Sequence, residues 1–241
     1  MKGVILAAGR GERLAPMGWE EPKCLLEFGG QTLLDNIIGA LLDNGISRVV
    51  IVVGYKQEAV LEGLRKHAVT CETVINEDYA DTNTIHSLYL ARDYLNEDFI
   101  YFNADVLFER ALISHLISRD GNVFAIEEKK CGAEEVKVII DEERRIVRIG
   151  KKLEPEECLG EFIGVGKFSA SSCEAMVKSL CRFNEELGER NLFFEAAVDV
   201  ILDEHVFYAM GLDGLGAIEI DNPDDYERAK VLWERNFSQA G

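Results

Sequence analysis

Lys2–Ala7 is a continuous apolar run that ends in small residues, and it reads as a strand buried on both faces, the kind found inside a parallel sheet. Residues 8–23 follow at once as a long connection rich in glycine, charge and proline. A loop of that length without regular structure usually serves a function. A buried strand that delivers such a loop is the pattern the rest of the chain has to fit.

The following segments fit it. Residues 24–28 are expected as a short strand before the turn at Gly29-Gly30. Residues 32–44 have helical periodicity, with Thr32 as N-cap and Gly45 as stop. Arg48–Val53, residues 72–75 and residues 99–102 are expected strands, and residues 57–66 and 84–95 expected helices. This alternation argues for a layered α/β fold with a mostly parallel sheet. The second half changes character. Residues 123–127, 136–140, 146–149, 162–168, 206–209 and 217–220 read as short strands, and 171–183 and 192–203 as helices. Residues 223–234 close the chain as a helix, with Pro223 in its first turn and Asp224 and Asp225 at its positive end. No Pro-, Ser- or Gly-rich linker and no repeat interrupts the sequence, so one domain over residues 1–241 is expected.

The loop carries the chemistry. Leu6-Ala7-Ala8-Gly9-Arg10-Gly11-Glu12-Arg13-Leu14 lacks the third glycine or alanine of a dinucleotide fingerprint, because Leu14 stands there. The Walker pattern G-x-x-x-x-G-K-[ST] occurs nowhere in the chain. What remains is a main chain that can approach a ligand closely and cradle phosphate oxygens with its N–H groups. Arg10 and Arg13 can hold such oxygens with paired donors, and Lys23, after Pro22, adds a point charge on a long arm.

Composition removes several other classes. The net charge of −18 leaves no basic patch for nucleic acid. No apolar run reaches the roughly 18–20 residues of a membrane span, and the N-terminal run is too short for a signal peptide. The six cysteines form no C-x-x-C pair and no zinc spacing, which is the pattern of a reduced, cytoplasmic protein.

The pattern L-A-A-G-x-G-x-R-L, with Pro-Lys a short distance on, resembles the nucleotidyltransferases of the sugar-phosphate and cytidylyltransferase superfamily. The resemblance implies a three-layer α/β/α Rossmann-like fold with a mostly parallel mixed sheet. It divides the chain into a nucleotide-binding half, 1–120, and an acceptor-binding half, 121–241. It implies that Leu6, Ala7, Ala8, Gly9, Arg10 and Gly11 wrap an NTP, with Arg13 and Lys23 as the catalytic contacts to its phosphates.

Asp105 follows the strand at residues 99–102, and Asp221 follows that at 217–220. Carboxylates at strand ends lie where α/β ligands bind, and two of them can share one Mg²⁺ with phosphate oxygens and water. Each aspartate could equally serve as a turn or cap residue. The resemblance assigns both to Mg²⁺. Where many relatives have D-x-D, this chain has Asn103-Ala104-Asp105, which leaves Asp105 as the better ligand.

The stretch Asn83-Thr84-Ile85-His86-Ser87-Leu88 is similar to the N-N-x-x-S-L segment of bacterial phosphocholine cytidylyltransferases, and to the 2-aminoethylphosphonate and inositol-phosphate enzymes. That likeness places Asn83 and Ser87 near the nucleotide. It makes Lys151 a candidate contact to the acceptor phosphate, and Phe193, Phe194 and Glu195 candidates for a cage around an acceptor cation. The implied partners are an NTP, with CTP first, and a phosphocholine-like, aminophosphonate or polyol-phosphate acceptor. Transfer of NMP to it would release pyrophosphate. A sugar-1-phosphate nucleotidyltransferase using UTP, GTP or dTTP is the second reading, and a non-catalytic nucleotide-sensing subunit the third. The acceptor stays open, as does assembly into a homo-oligomer.

Overall fold

The computed structural model describes residues 1–236. In chain order its strands and α-helices are β1 (Lys2–Ala7), β2 (Glu27–Phe28), β3 (Gln31–Thr32), α1 (Leu33–Asp43), β4 (Arg48–Val53), α2 (Gln57–Arg65), β5 (Thr70–Ile75), α3 (Thr84–Leu90), β6 (Phe99–Asn103), β7 (Val106–Phe108), α4 (Ala111–Ile117), β8 (Asn122–Glu127), β9 (Lys137–Ile140), β10 (Ile146–Gly150), β11 (Gly160–Phe168), α5 (Ala170–Cys181), α6 (Glu195–Asp199), β12 (Phe207–Gly211), β13 (Ala217–Glu219) and α7 (Pro223–Asn236).

The main sheet runs β10-β9-β11-β6-β1-β4-β5, with β8 paired to β11 and β12 to β8. β1 lies parallel between β4 and β6, while β11 runs antiparallel to β6, β8 and β9. One mixed sheet therefore draws on both halves of the chain. Period-2 alternation builds the layers. Val4, Leu6, Val50, Val52, Phe99 and Tyr101 face one core with Ile85 of α3, Met176 of α5 and Val198 of α6. Ile5, Ala7, Val49, Ile51, Ile100 and Phe102 face the other, against Ile37 and Leu41 of α1, Val60 of α2 and Leu112 of α4. Each fully buried Leu or Ile on these helices contributes about 1.5–3 kcal/mol. The result is the α/β/α sandwich with a mostly parallel mixed sheet. No described helix is long and apolar enough to cross a membrane.

Thr32 caps α1 in a reciprocal box: its hydroxyl accepts from the Asp35 N–H at 3.0 Å, and the Asp35 carboxylate accepts from the Thr32 N–H at 2.9 Å. A third, smaller core of Leu14, Leu26, Phe28, Leu107, Ile220 and Ala229 clamps the N-terminal loop to α7. That clamp brings residues 13–23 beside Asp221.

Local pattern misjudged several boundaries. Lys23–Leu25 is a 3₁₀ turn and only Glu27–Phe28 pairs as a strand. The helix expected over 84–95 ends at Leu90 and resumes as a 3₁₀ turn at Arg92–Tyr94. That expected over 192–203 shrinks to Glu195–Asp199, because residues 188–194 form turns whose carbonyls are tied to the start of α3. Asn83 N–H donates to the Arg190 carbonyl, and Ile85 N–H to the Leu192 carbonyl. Strand β11 carries an irregularity between Phe162 and Gly166. Gly164 sits there at φ 75°, and a Cβ on it would lie 2.6 Å from the Asn103 Nδ2.

Candidate functional site

A cavity of about 690 Å³ opens beyond the carboxyl ends of β1 and β6, where open α/β sheets bind ligands. It is lined by Leu6 of β1, by Ala8, Gly9, Gly11 and Arg13 of the loop, and by Asn83 at the cap of α3 and Ser87 within it. Asp105 and Asp221 lie at its floor, and Lys151, Phe193 and Glu195 line the far side.

Lys23 organises the floor. Its Nζ donates to Asp105 Oδ2 at 3.0 Å and to Asp221 Oδ1 at 2.6 Å, and Arg13 reaches Asp221 Oδ2 at 3.2 Å. Burial works to lower the Lys23 pKa, but the two carboxylates outweigh it and raise the value, so the ammonium is retained. Burial pushes the Asp221 pKa up, and Lys23, helped by Arg13 and Lys151, more than reverses that. The stem of Lys23 passes directly beneath the loop. A Cβ at Gly11, which adopts φ 65°, would lie 2.7 Å from Lys23 Cγ, so glycine is what permits the approach.

Glu219 is the residue that the sequence reading missed. Its carboxylate joins those of Asp105 and Asp221, with one oxygen from each within 4.8 Å of the others. Burial first, then Asp105 and Asp221, drive its pKa well above the usual carboxylate range. The available signal was position: on a strand, residues two apart share a face, and Glu219 stands two before Asp221. Asp105 Oδ1 is buried with no hydrogen-bond partner among the described residues. An all-oxygen set with one orphaned acceptor suits a hard cation such as Mg²⁺.

Asn76 was also missed. It is almost fully buried, donates to Ser87 Oγ and Thr82 Oγ1 at 3.1 Å each, and leaves its own Oδ1 unpartnered among the described residues. Asn83 caps α3, its Oδ1 accepting from the Thr84 N–H at 2.8 Å.

Three candidates fall outside the cavity lining. Ala7 turns to the opposite face of the sheet, as alternation requires of the residue after Leu6. Arg10 swings outward, with its guanidinium 5.5 Å from the Tyr55 ring centre and paired with Glu12 at 3.2 Å. Phe194 is core: it is fully buried, with its ring centre 4.2 Å from that of Tyr101. Its N–H donates to Thr84 Oγ1 at 2.9 Å, which turns Phe193 and Glu195 toward the cavity in its place. Beside them Lys129, a further lining residue, bridges Glu127 at 2.8 Å and Glu161 at 2.6 Å.

Residues 3–159, well over half of the chain, match the family model of the MobA-like NTP transferase domain. The choline-phosphate cytidylyltransferase of Streptococcus pneumoniae is 27% identical, with 96% of this chain and 98% of that one aligned. The CTP:phosphoglutamine cytidylyltransferase of Campylobacter jejuni is 28% identical over 70% of this chain and 73% of its own. Among solved structures, the CTP:phosphocholine cytidylyltransferase of Streptococcus pneumoniae superposes with a TM-score of 0.79 at 25% identity, covering 96% of this chain and 98% of that one.

Proposed function

Because the chain belongs to the MobA-like NTP transferase family, as a cytidylyltransferase-like nucleotidyltransferase, we propose that it transfers CMP from CTP to a small phosphorylated acceptor and releases pyrophosphate. The observation that carries this is the position of Lys23. Its ammonium lies under the glycine-rich loop and against two strand-end carboxylates, in the lining of the cavity.

A phosphate monoester is already an anionic nucleophile near neutral pH, since its second pKa is about 6. No general base is required. One acceptor oxygen attacks the α-phosphorus in line, the bond to the bridging oxygen breaks, and pyrophosphate leaves with the electron pair. Catalysis then rests on alignment and on neutralising charge. Lys23 Nζ would donate to a non-bridging α-phosphate oxygen. Arg13 and the loop N–H groups would hold the departing phosphates with paired donors. Lys151 would hold the acceptor phosphate. Mg²⁺, when held by Asp105, Glu219 and Asp221, supplies further neutralisation of phosphate charge. Asn76 Oδ1, with Ser87 beside it, offers an acceptor for an exocyclic amine, which favours cytosine over uracil or thymine.

The test is pyrophosphate release across four NTPs and a panel of acceptors: phosphocholine, phosphoethanolamine, 2-aminoethylphosphonate, inositol phosphate, glycerol phosphate and sugar 1-phosphates. Turnover confined to CTP and a non-sugar acceptor is expected, and Asp105→Ala should abolish it. Turnover with a sugar 1-phosphate and UTP, GTP or dTTP would replace this reading with a sugar-nucleotide one.

A further inference from the structure

Glu195 stands at the acceptor side of the cavity, 2% exposed, and its Oε2 has no hydrogen-bond partner among the described residues. A buried carboxylate oxygen without a donor is costly and uncommon. Burial raises the Glu195 pKa to about 7, against the pull of its own backbone N–H and of Lys151. The neighbouring polar groups are committed elsewhere. The Tyr101 hydroxyl donates to Asn103 Oδ1 at 2.6 Å, and the Lys151 ammonium lies 4.1 Å from the Phe193 ring centre. Lys151, Glu195 and Asp221 line the same cavity, and the charge of Lys151 acts on both carboxylates. An acceptor whose phosphate meets Lys151 therefore presents its other end to Glu195.

Resting on the nucleotidyl-transfer reading, we propose that Glu195 binds a primary ammonium group of the acceptor, which makes the substrate an aminoalkyl phosphate or phosphonate. Three candidate head groups differ in what they demand. A quaternary ammonium has no N–H and needs aromatic faces around it. Phe193 offers one face, already covered by Lys151, and the Phe194 ring is sealed in the core against Tyr101. A polyol hydroxyl would satisfy the Oε2 but brings no charge to hold Glu195 in its ionised form. A primary ammonium brings both a donor and the missing charge. The same chemistry is visible beside it, where Glu127 and Glu161 share the primary ammonium of Lys129 at 2.8 and 2.6 Å.

The test is calorimetric binding of three probes that share an ethyl phosphate frame, in the presence of Mg²⁺ and α,β-methylene-CTP. The probes are phosphoethanolamine, phosphocholine and 2-hydroxyethyl phosphate. Phosphoethanolamine is expected to bind at least about tenfold more tightly than either of the others. Glu195→Gln should bring it down to the level of the hydroxyl probe. A proton readout accompanies this. Burial holds part of Glu195 in its protonated form near neutral pH, so ammonium binding should ionise it and release protons, a release absent in Glu195→Gln. Equal binding of the three probes by the native protein, tighter phosphocholine binding, or no binding of phosphoethanolamine overturns the assignment without reference to the variant. Selective amine binding with no pyrophosphate release from CTP would leave the subsite standing and refute the transfer reading instead.

Discussion

Lys23→Met keeps the stem of the side chain and removes the ammonium that joins Asp105 to Asp221. Two charge-assisted hydrogen bonds are lost, at 3.0 and 2.6 Å, from a side chain only 15% exposed. Hydrogen bonds to charged groups contribute about 1.5–3 kcal/mol each, which bounds the loss at about 3–6 kcal/mol. Breaking one partner of a buried pair costs about 3–5 kcal/mol. The aspartates are 21% and 29% exposed, so water recovers part of this and the lower end, about 3 kcal/mol, applies. For a chain of this size that lowers Tm by about 6–12 °C. Three clustered carboxylates then face one another without their bridging cation, so a divalent ion should stabilise the variant more than the native protein. Thermal melts with chelator and with Mg²⁺ measure both effects. Equal melting of the two proteins in chelator, or an equal Mg²⁺ response, would refute the account. Turnover should also fall by about 10²–10³, as when one preorganised donor to developing charge is removed.

Gly11→Ala puts a methyl group 2.7 Å from Lys23 Cγ at a residue with φ 65°, so pyrophosphate release should fall at least about tenfold for a stability loss near 1 kcal/mol; an unchanged rate would show that the loop does not set the Lys23 position. At Asp35, burial raises the pKa, but hydrogen bonds from Thr32, Lys66 and His67 outweigh it and bring the value to about 2. The stabilisation is thus present above the unfolded value of about 3.9 and lost as pH falls through about 2. The stability gap between native protein and Asp35→Asn, read from denaturant midpoints, should close between about pH 4 and pH 2. Phe194→Ala should cost about 3–5 kcal/mol as a core cavity, whereas Phe193→Ala should leave the melt nearly unchanged and raise the acceptor KM.

Local patterns were enough for β1, β4 and β6, because fully buried parallel strands read as unbroken apolar runs whatever surrounds them. They also sufficed for α1, whose cap is written in Thr32 and Asp35 three residues apart. The glycine-rich loop with Arg13 and Lys23 stood out for the same reason, as residue types at short spacing, whereas Asp105 and Asp221 were singled out by the family resemblance. Helix α4 was not legible, since Ala111–Ile117 has no side-chain cap hydrogen bond at its N-terminus and is held by packing of Leu112, Ile113 and Leu116 on the sheet.

What tertiary structure alone decided is which residues meet. The small core of Leu14, Leu26, Phe28, Ile220 and Ala229 brings Lys23 to Asp221, and strand pairing of β13 with β7 brings Glu219 to Asp105. Neither encounter is encoded at short range. Phe193 and Phe194 are neighbours of the same type, and sequence gives no reason to prefer one for the cavity. The choice was made by the hydrogen bond from the Phe194 N–H to Thr84 and by the aromatic core that receives the Phe194 ring. Residue type and spacing therefore determined the class of fold and the glycine-rich loop, while long-range packing determined the third carboxylate and which aromatic side chain lines the cavity, because burial and charge proximity exist only once distant segments have come together.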